Sequence, residues 1–557
     1  MAYILSLADH CNTLVEYGAN AGGNWGFTQN SYMLTFAMNF PEFKESTVWQ
    51  KTAIERLSAI LKEDTLPDGT ETESAISYQR MSYNPLARYV YDDLVLDRGL
   101  KSPFATEIKS ILQKQAEYFM HTAMPDGVSP YLGDWAHEQM RDYILEDARR
   151  FDRKDMLYVA TAGKKGKKPN ELSKLYPSAG IAMMRSDWGD AGRPYEDARY
   201  LMLHGVHYGA HGHQDINGII GLYAYGRELL ADPGSGEYGS PEHALLTTAV
   251  SHNLMTIDGE EQVSGSSAAF RNWATTPIAD YVSSWVDPYN AGDHTREVFY
   301  IRANGDPDAT DYWVVRDTAR GTGTHSLEQR WHFAAESGAK LDPATLEART
   351  AFPDKGNLAI EQVDPSRLQP EQTTTDMWIR RGVGGPPSKL PTVIYKITTP
   401  LPAAIDTVLF PFEGAQGPQA VLKVLEKSKD GLDAAFKVVQ GHVEDLFVLQ
   451  SKAGAKELPT EKVSFEGERL FVRRTGGKLR SALLVNGSSL GVDGREIVKS
   501  AKPLSWVAVS FEVSGVKAYA SAREPTLVVS GRDGKRVTPK PMDTDKLLRL
   551  GCDSPAK

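Results

Sequence analysis

The chain has 557 residues with 41% hydrophobic and 24% charged side chains, the balance of an ordinary globular protein, which excludes disordered, collagenous and disulfide-scaffold classes. Sixty-two Lys and Arg against 72 Asp and Glu leave a net charge of -10, which argues against a general nucleic-acid binder, and no apolar run approaches the roughly 18 residues a membrane span needs. Cys11 and Cys552 lie at opposite ends and cannot form a metal knuckle. At about 150 residues per domain the length predicts three or four domain-sized units.

Met1 to Asn20 has no basic n-region, and Asp9, His10 and Glu16 interrupt its apolar stretch, so it does not read as an export signal. Next come helical patterns. Lys51 to Leu66 places Ala53, Ile54, Leu57, Ile60 and Leu61 on one face, and Ser102 to Ala123 does the same with Phe104, Ile108, Ile111, Leu112, Phe119 and Met120. Each is followed by a Pro-Asp-Gly turn, so the unit reads as stacked helical hairpins forming an arc or toroid over residues 1–165. The Lys/Gly-rich segment Thr161 to Leu172 reads as a linker. Beyond it the period becomes two: Tyr200 to Leu203, Gly218 to Leu230, Tyr312 to Arg316, Val393 to Thr398, Leu470 to Arg473 and Trp506 to Val513 predict strands. The predicted fold class is therefore α+β and multidomain: a toroid-like (α/α) helical domain, an antiparallel β-sandwich over residues 175–450 and a small C-terminal β domain over residues 451–557.

Chemistry concentrates between His204 and Asn253, where His204, His207, His211 and His213 fall within ten residues. An extended His211 to Asp215 would project His211, His213 and Asp215 from one face. Asp232 and His252 follow in separate segments, and a His, an Asp and a His from three segments suit a four-coordinate zinc site. The same residues would also serve as a hydrogen-bonded polar cluster in a β core, with Asp232 in a turn-like Asp-Pro-Gly.

The order of these pieces carries a resemblance. H-G-H-Q-D, then Y-G-R-E-L-L-A-D-P-G, then Tyr238, then S-H-N resembles the β-domain signature of the heparinase II/III-like polysaccharide lyases, whose relatives include alginate lyases. Tyr176 to Gly189 resembles the segment that opens that domain, and VSPYLGD, Val128 to Asp134, a helical-domain element. Asn24-Trp25 and DGTETESAISY, Asp68 to Tyr78, resemble the family's active-site Asn and its tyrosine motif; Gln79 stands where relatives often carry His. Family members usually have more helical hairpins ahead of the Asn than these 23 residues, which reads as a short or N-terminally truncated toroid.

The resemblance implies a lyase cutting 4-linked uronic-acid polysaccharide, such as heparan sulfate, hyaluronan, chondroitin or alginate, in a periplasmic or secreted setting. It makes Asn24 the neutraliser of the uronate carboxylate, Tyr78 the proton donor or acceptor and His211 an active-site residue facing them across a sugar-sized gap. His213, Asp232 and His252 would hold a structural zinc, and Glu73, Arg80, His207 and Tyr238 are candidate substrate-binding residues. The chemistry is coherent: the C5 proton is removed, the 4-linked oxygen leaves, and donors stabilise charge growing on the carboxyl group. A glycoside hydrolase drawing on Asp68, Glu71, Glu73 and Asp134, a metal oxygenase, or a non-catalytic carbohydrate binder are the alternatives. The expected partner is an anionic polysaccharide, with neither nucleic acid nor membrane; oligomeric state leaves no mark on the sequence.

Overall fold

The computed structural model describes the chain apart from residues 1, 19–21, 100, 135–136, 206–208, 210, 264, 378–387, 418–419, 514, 532–533, 543, 545–547 and 549–557. Its first 160 residues form α1 (Ala2–Tyr17), α2 (Gly23–Asn39), α3 (Ser46–Asp64), α4 (Ile76–Pro85), α5 (Pro103–Thr122), α6 (Arg141–Arg150) and α7 (Lys154–Ala160). After Pro85, α4 continues as a wider π-helical segment, Leu86–Asp97. On α2, α3 and α5 apolar side chains recur at three- and four-residue spacing, which gives each a buried face. On α5, Phe104, Ile108, Leu112, Ala116 and Phe119 are buried along one face, and the Ser102 hydroxyl caps the helix by accepting from the Ala105 N–H at 3.1 Å.

The Pro-Asp-Gly turns form as predicted. Asp68 and Asp126 accept from the backbone N–H two residues on, at Thr70 (3.2 Å) and Val128 (3.0 Å). The second carboxylate oxygen of Asp68 accepts from the N–H groups of Ser178 and Ala179 at 2.9 and 3.0 Å, so this turn also ties the helical layer to the β half.

Residues 161–173 contain neither helix nor strand, in keeping with a linker. The β half begins with an antiparallel sheet of β1 (Lys174–Tyr176), β2 (Ile181–Arg185), β3 (Tyr200–His204), β4 (Gly218–Ala224) and β5 (Arg227–Ala231), in that order. Its alternating side chains serve two cores. Ile181, Met183, Tyr200, Met202 and Tyr223 join the helices, whereas Ala182, Met184, Leu201, Leu203 and Leu222 pack towards an eight-stranded sheet that runs from Ala268–Thr275 to Ala403–Glu413. That sheet repeats the device: Val298, Tyr300, Trp313 and Val315 face the first sheet, and Phe299, Ile301, Tyr312 and Val314 face a ten-stranded C-terminal sheet through Phe436, Phe447, Phe471 and Trp506. A four-stranded sheet including Thr324–His332 and Ser388–Pro400 adds Trp331, Val393 and Tyr395 to the second core. The molecule is thus a stack of layers: helices, first sheet, second sheet, third sheet.

One boundary differs from expectation. The ten-stranded sheet begins with Ala420–Lys427, and the expected boundary at 451 falls inside its strand Val443–Leu458, because that strand's alternating residues serve cores on both of its faces. The helical part is observed as a layer on the first sheet, with α2 packed against α3 and α4.

The second sheet carries a titratable strain. Glu361, on the strand Gly356–Gln362, has its carboxyl pushed up to about 7 by burial and then by the neighbouring Glu347, with Arg349 opposing. Between the unfolded value near 4.5 and about 7 the folded chain binds the extra proton, so stability falls as pH rises through that window and stays lower above it. Glu361→Gln should therefore raise the melting temperature at pH 8 and leave it unchanged at pH 4. Equal shifts at both values would show that Glu361 is not protonated in the fold.

Candidate functional site

The site forms where two loops meet. Asn24 lies buried in the first turn of α2, whose free N–H groups are taken by carboxylates: Gly23 donates to Asp64 at 2.9 Å and Asn24 to Glu73 Oε1 at 3.2 Å. The Glu73 backbone oxygen accepts from His211 N–H at 3.3 Å, and Asp134 N–H donates to the His211 oxygen at 2.8 Å. The His211 backbone is therefore held on both sides by the helical half. Gly133 allows this approach. Its φ is +69°, and a β-carbon there would lie 2.6 Å from the His211 oxygen, 2.7 Å from Ala75 Cβ and 2.9 Å from the Ser74 oxygen.

Four side chains then converge. The Tyr78 ring, in the first turn of α4, stacks on His211 with centroids 3.5 Å apart and planes 8° from parallel. Tyr78 Oη lies 2.6 Å from Tyr238 Oη, and Tyr238 donates to Asp134 Oδ2 at 2.8 Å. The same oxygen receives His211 Nδ1 at 3.1 Å, while Asp134 Oδ1 receives His213 Nε2 at 3.1 Å. Burial opposes the charge on Asp134, but the hydrogen bonds from His211, His213 and Tyr238 outweigh it and hold the carboxyl well below the ordinary carboxylate range. Burial, and the hydrogen bond it donates to Asp134, push the Tyr238 hydroxyl upward, although 55% of the residue is exposed.

Behind this group lies a second cluster. His213, Asp232 and His252 are all buried, with one ligand atom from each within 4.8 Å of the others. His252 Nδ1 pairs with Asp232 Oδ2 at 2.7 Å, and His213 Nδ1 and His252 Nε2 are buried without hydrogen-bond partners. Two orphaned ring nitrogens beside a carboxylate form a donor set that fits a zinc-type divalent ion. Asn253 fixes the segment: its amide donates to the Ile219 and Ala231 oxygens at 2.9 and 3.0 Å, and its side-chain oxygen accepts from His332 N–H at 2.6 Å. Arg296, paired with Asp317, donates to the Asn253 oxygen at 2.6 Å. In the other described group of possible ligands, Glu117, His121 and Glu171, Lys174 Nζ sits 3.0 Å from Glu117 and bonds Glu171, so the chain supplies its own cation there.

The structure brings together Tyr78, His211 and Tyr238, with Asn24 joined to them through Glu73, and gathers His213, Asp232 and His252. Several expectations are corrected. Tyr78 and His211 are in ring contact rather than facing across a sugar-sized gap. The predicted extended His211–Asp215 segment is a loop, and Asp215 pairs with His204 Nδ1 at 2.8 Å instead of joining the cluster. Glu73 is no free substrate ligand: one oxygen holds α2 and the other is buried. Arg80, 5% exposed, is ion-paired to Glu138 and lies 3.2 Å over the Tyr143 ring, which removes it from the surface a substrate would meet. His207 lies outside the described residues.

Asp134 is the site residue that the sequence leaves unassigned: it closes the VSPYLGD motif and otherwise appears only among the carboxylates of the hydrolase alternative. His243 is a further neighbour, its Nδ1 3.9 Å from Asp134 Oδ1 and its ring 5.0 Å from Tyr238; nothing in its Pro241–Leu246 helix signalled this.

Residues 1–158 match the family model for the heparinase II/III N-terminus, and residues 168–420 the heparinase II/III-like C-terminal model. The chain belongs to the heparinase II/III family. It is similar to the heparin-sulfate lyase of Pedobacter heparinus, 26% identical over 362 residues covering 62% of this chain and 51% of that protein, and to the heparin-sulfate lyase of Bacteroides stercoris, 23% identical over 362 residues covering 63% and 51%. The heparinase II/III chain thus spans about half the length of the curated relatives it matches. A crystal structure of a heparan sulfate lyase mutant from Pedobacter heparinus shares the fold, with a TM-score of 0.68 at 20% identity over 81% of this chain and 70% of that one.

Gly133 supplies a direct test of the junction. Gly133→Ala should cost about 1–3 kcal/mol, read as a lower melting temperature, because both the backbone conformation and the contact with His211 oppose a side chain. An unchanged melting curve would mean that the two loops are not packed as described.

Proposed function

We propose that this protein is a polysaccharide lyase acting on an anionic, 4-linked uronic-acid glycosaminoglycan by β-elimination. The observation that carries the reading is the contact group of Tyr78, His211 and Tyr238 at the junction of the helical and β halves. Family membership and the similarity to heparin-sulfate lyases support it. The carboxylates a hydrolase would need are otherwise engaged: Asp68 with backbone N–H groups, Glu71 with Ser82, Glu73 with Asn24, and Asp134 with His211, His213 and Tyr238. On this reading the helical layer is an arc of the family's toroid, and the protein works in the periplasm or outside the cell, where such polymers are met.

In the proposed reaction the C5 proton passes to a base, its electron pair forms the C4–C5 double bond, and the C4–O bond breaks with a proton delivered to the leaving oxygen. Tyr78 carries a proton at this centre, with Tyr238 as its hydrogen-bond partner and His211 stacked on its ring, and Asn24 binds the uronate carboxylate on which charge grows. With Tyr78 stacked on His211, base and acid work from one face of the sugar, and Tyr78 takes the C5 proton and returns one to the leaving oxygen. His213, Asp232 and His252 would hold zinc, which when bound supplies a structural tie among three β segments.

The test is ultraviolet detection of 4,5-unsaturated uronate ends when the purified protein meets a panel of heparan sulfate, chondroitin, hyaluronan and alginate. Glycosaminoglycan should give signal, and Tyr78→Phe should lower turnover by about 10²- to 10⁴-fold with melting unchanged. Cleavage without ultraviolet absorbance would replace elimination by hydrolysis. His213→Ala should instead lower both bound zinc and melting temperature. A variant with unaltered metal content and melting would remove the structural-zinc reading.

A further inference from the structure

We propose that Asp134 is a positioning residue that dictates where the protons sit on Tyr78, Tyr238 and His211 and, through its other oxygen, on the metal-cluster histidine His213. Its carboxylate accepts and cannot donate, so the groups around it must all present hydrogen. Oδ2 receives Tyr238 Oη at 2.8 Å and His211 Nδ1 at 3.1 Å; Oδ1 receives His213 Nε2 at 3.1 Å. Asp134 itself is buried, and its own N–H is fixed on the His211 oxygen at 2.8 Å.

Counting protons gives the rest. Tyr238 has one hydroxyl hydrogen, and Asp134 Oδ2, an acceptor only and at 2.8 Å, takes it ahead of His211 Nδ1 at 3.3 Å. In the 2.6 Å contact between the tyrosines, Tyr238 must therefore accept and Tyr78 must donate. His211 carries its proton on Nδ1, which leaves Nε2 as the lone-pair nitrogen. His213 carries its proton on Nε2, which leaves Nδ1, the buried nitrogen without a partner, as the atom able to face Asp232 and His252. One carboxylate from the helical half thus sets both the resting hydrogen-bond direction of the proposed catalytic group and the ligand atom of the metal cluster.

Asparagine is close in shape but cannot replace it. In either amide orientation an NH₂ group meets at least one donor, His213 on one side or Tyr238 and His211 on the other.

The proposal rests on the lyase reading only for its kinetic arm, and two other measurements do not. Nuclear magnetic resonance of the metal-free protein with isotope-labelled histidine should show His211 protonated on Nδ1 and His213 on Nε2, the signals being assigned by their loss in His211→Gln and His213→Gln. The opposite tautomer at either ring overturns the proposal, whether or not the protein has activity. In Asp134→Asn, zinc affinity measured by chelator competition should weaken by about 10- to 100-fold. Its kcat on the best glycosaminoglycan should fall by a similar factor, with KM changed by less than about threefold. An Asp134→Asn protein that keeps the zinc affinity and histidine tautomers of the original overturns the assignment. Should that variant not fold, the tautomers of the unsubstituted protein decide alone. A native protein that cleaves nothing refutes the lyase reading and leaves the Asp134 assignment to the other two measurements.

Discussion

A carboxylate taken out of water must be met by hydrogen-bond donors, or the charge is too costly to keep. Asp134 meets that demand across the seam of the molecule: the acceptor comes from a loop of the helical half, and Tyr238, His211 and His213 come from the β half. Much of the local architecture follows from this single requirement. The loop bearing His211 has to lie against the Glu73 and Asp134 backbones, Gly133 has to be small where they meet, and the Tyr78 ring is left in stacking contact with the imidazole.

Such a seam holds its geometry only if the bodies on either side are firm. On the helical side, firmness comes from a core shared with the first sheet, in which Trp49, Tyr91, Phe119, Tyr200 and Met202 are buried together. Asp68 adds a local tie by receiving two backbone N–H groups from the start of the β half. On the β side, the Arg296–Asp317 pair lies fully buried beneath Asn253, with His294 and Gln329 donating to the remaining capacity of the Asp317 carboxylate at 2.8 and 2.7 Å. A buried ion pair of this kind adds little net stability, but with every partner in place it fixes the segment that carries His252.

What the sequence made legible followed from periodicity. The helical face of Ser102 to Ala123 matches α5, and the alternation in Tyr200 to Leu203 matches β3, because each pattern is the direct imprint of which side is buried. His213, Asp232 and His252 were legible as a set through motif order, and they converge. Other features depend on tertiary contacts. Arg80 looks like any arginine available to an anion until Glu138 and Tyr143 enclose it, and these lie more than fifty residues away in the chain. Glu73 carries no local sign that the start of α2 will occupy its carboxylate. The histidine loop suggests a strand by its alternation, yet residues 211–215 form no strand, and Asp215 pairs with His204 while His213 pairs with Asp134 of the helical half. The boundary expected at 451 failed for a related reason: strand patterns give faces, not the sheet to which a strand belongs.

The alternation of the first sheet also bears on how this fold can vary. In β2 and β3 consecutive residues belong to different cores, Ile181 and Met183 to one, Ala182 and Met184 to the other, with Tyr200 through Leu203 doing likewise. Inserting or deleting one residue within either strand would exchange its two sets of side chains, sending Tyr200 and Met202 into the space cut for Leu201 and Leu203. Length changes in this sheet are therefore confined to its connections. The long connection between β2 and β3, which carries none of the site residues, is where related chains can differ in length while the layers, and the seam they support, keep their spacing.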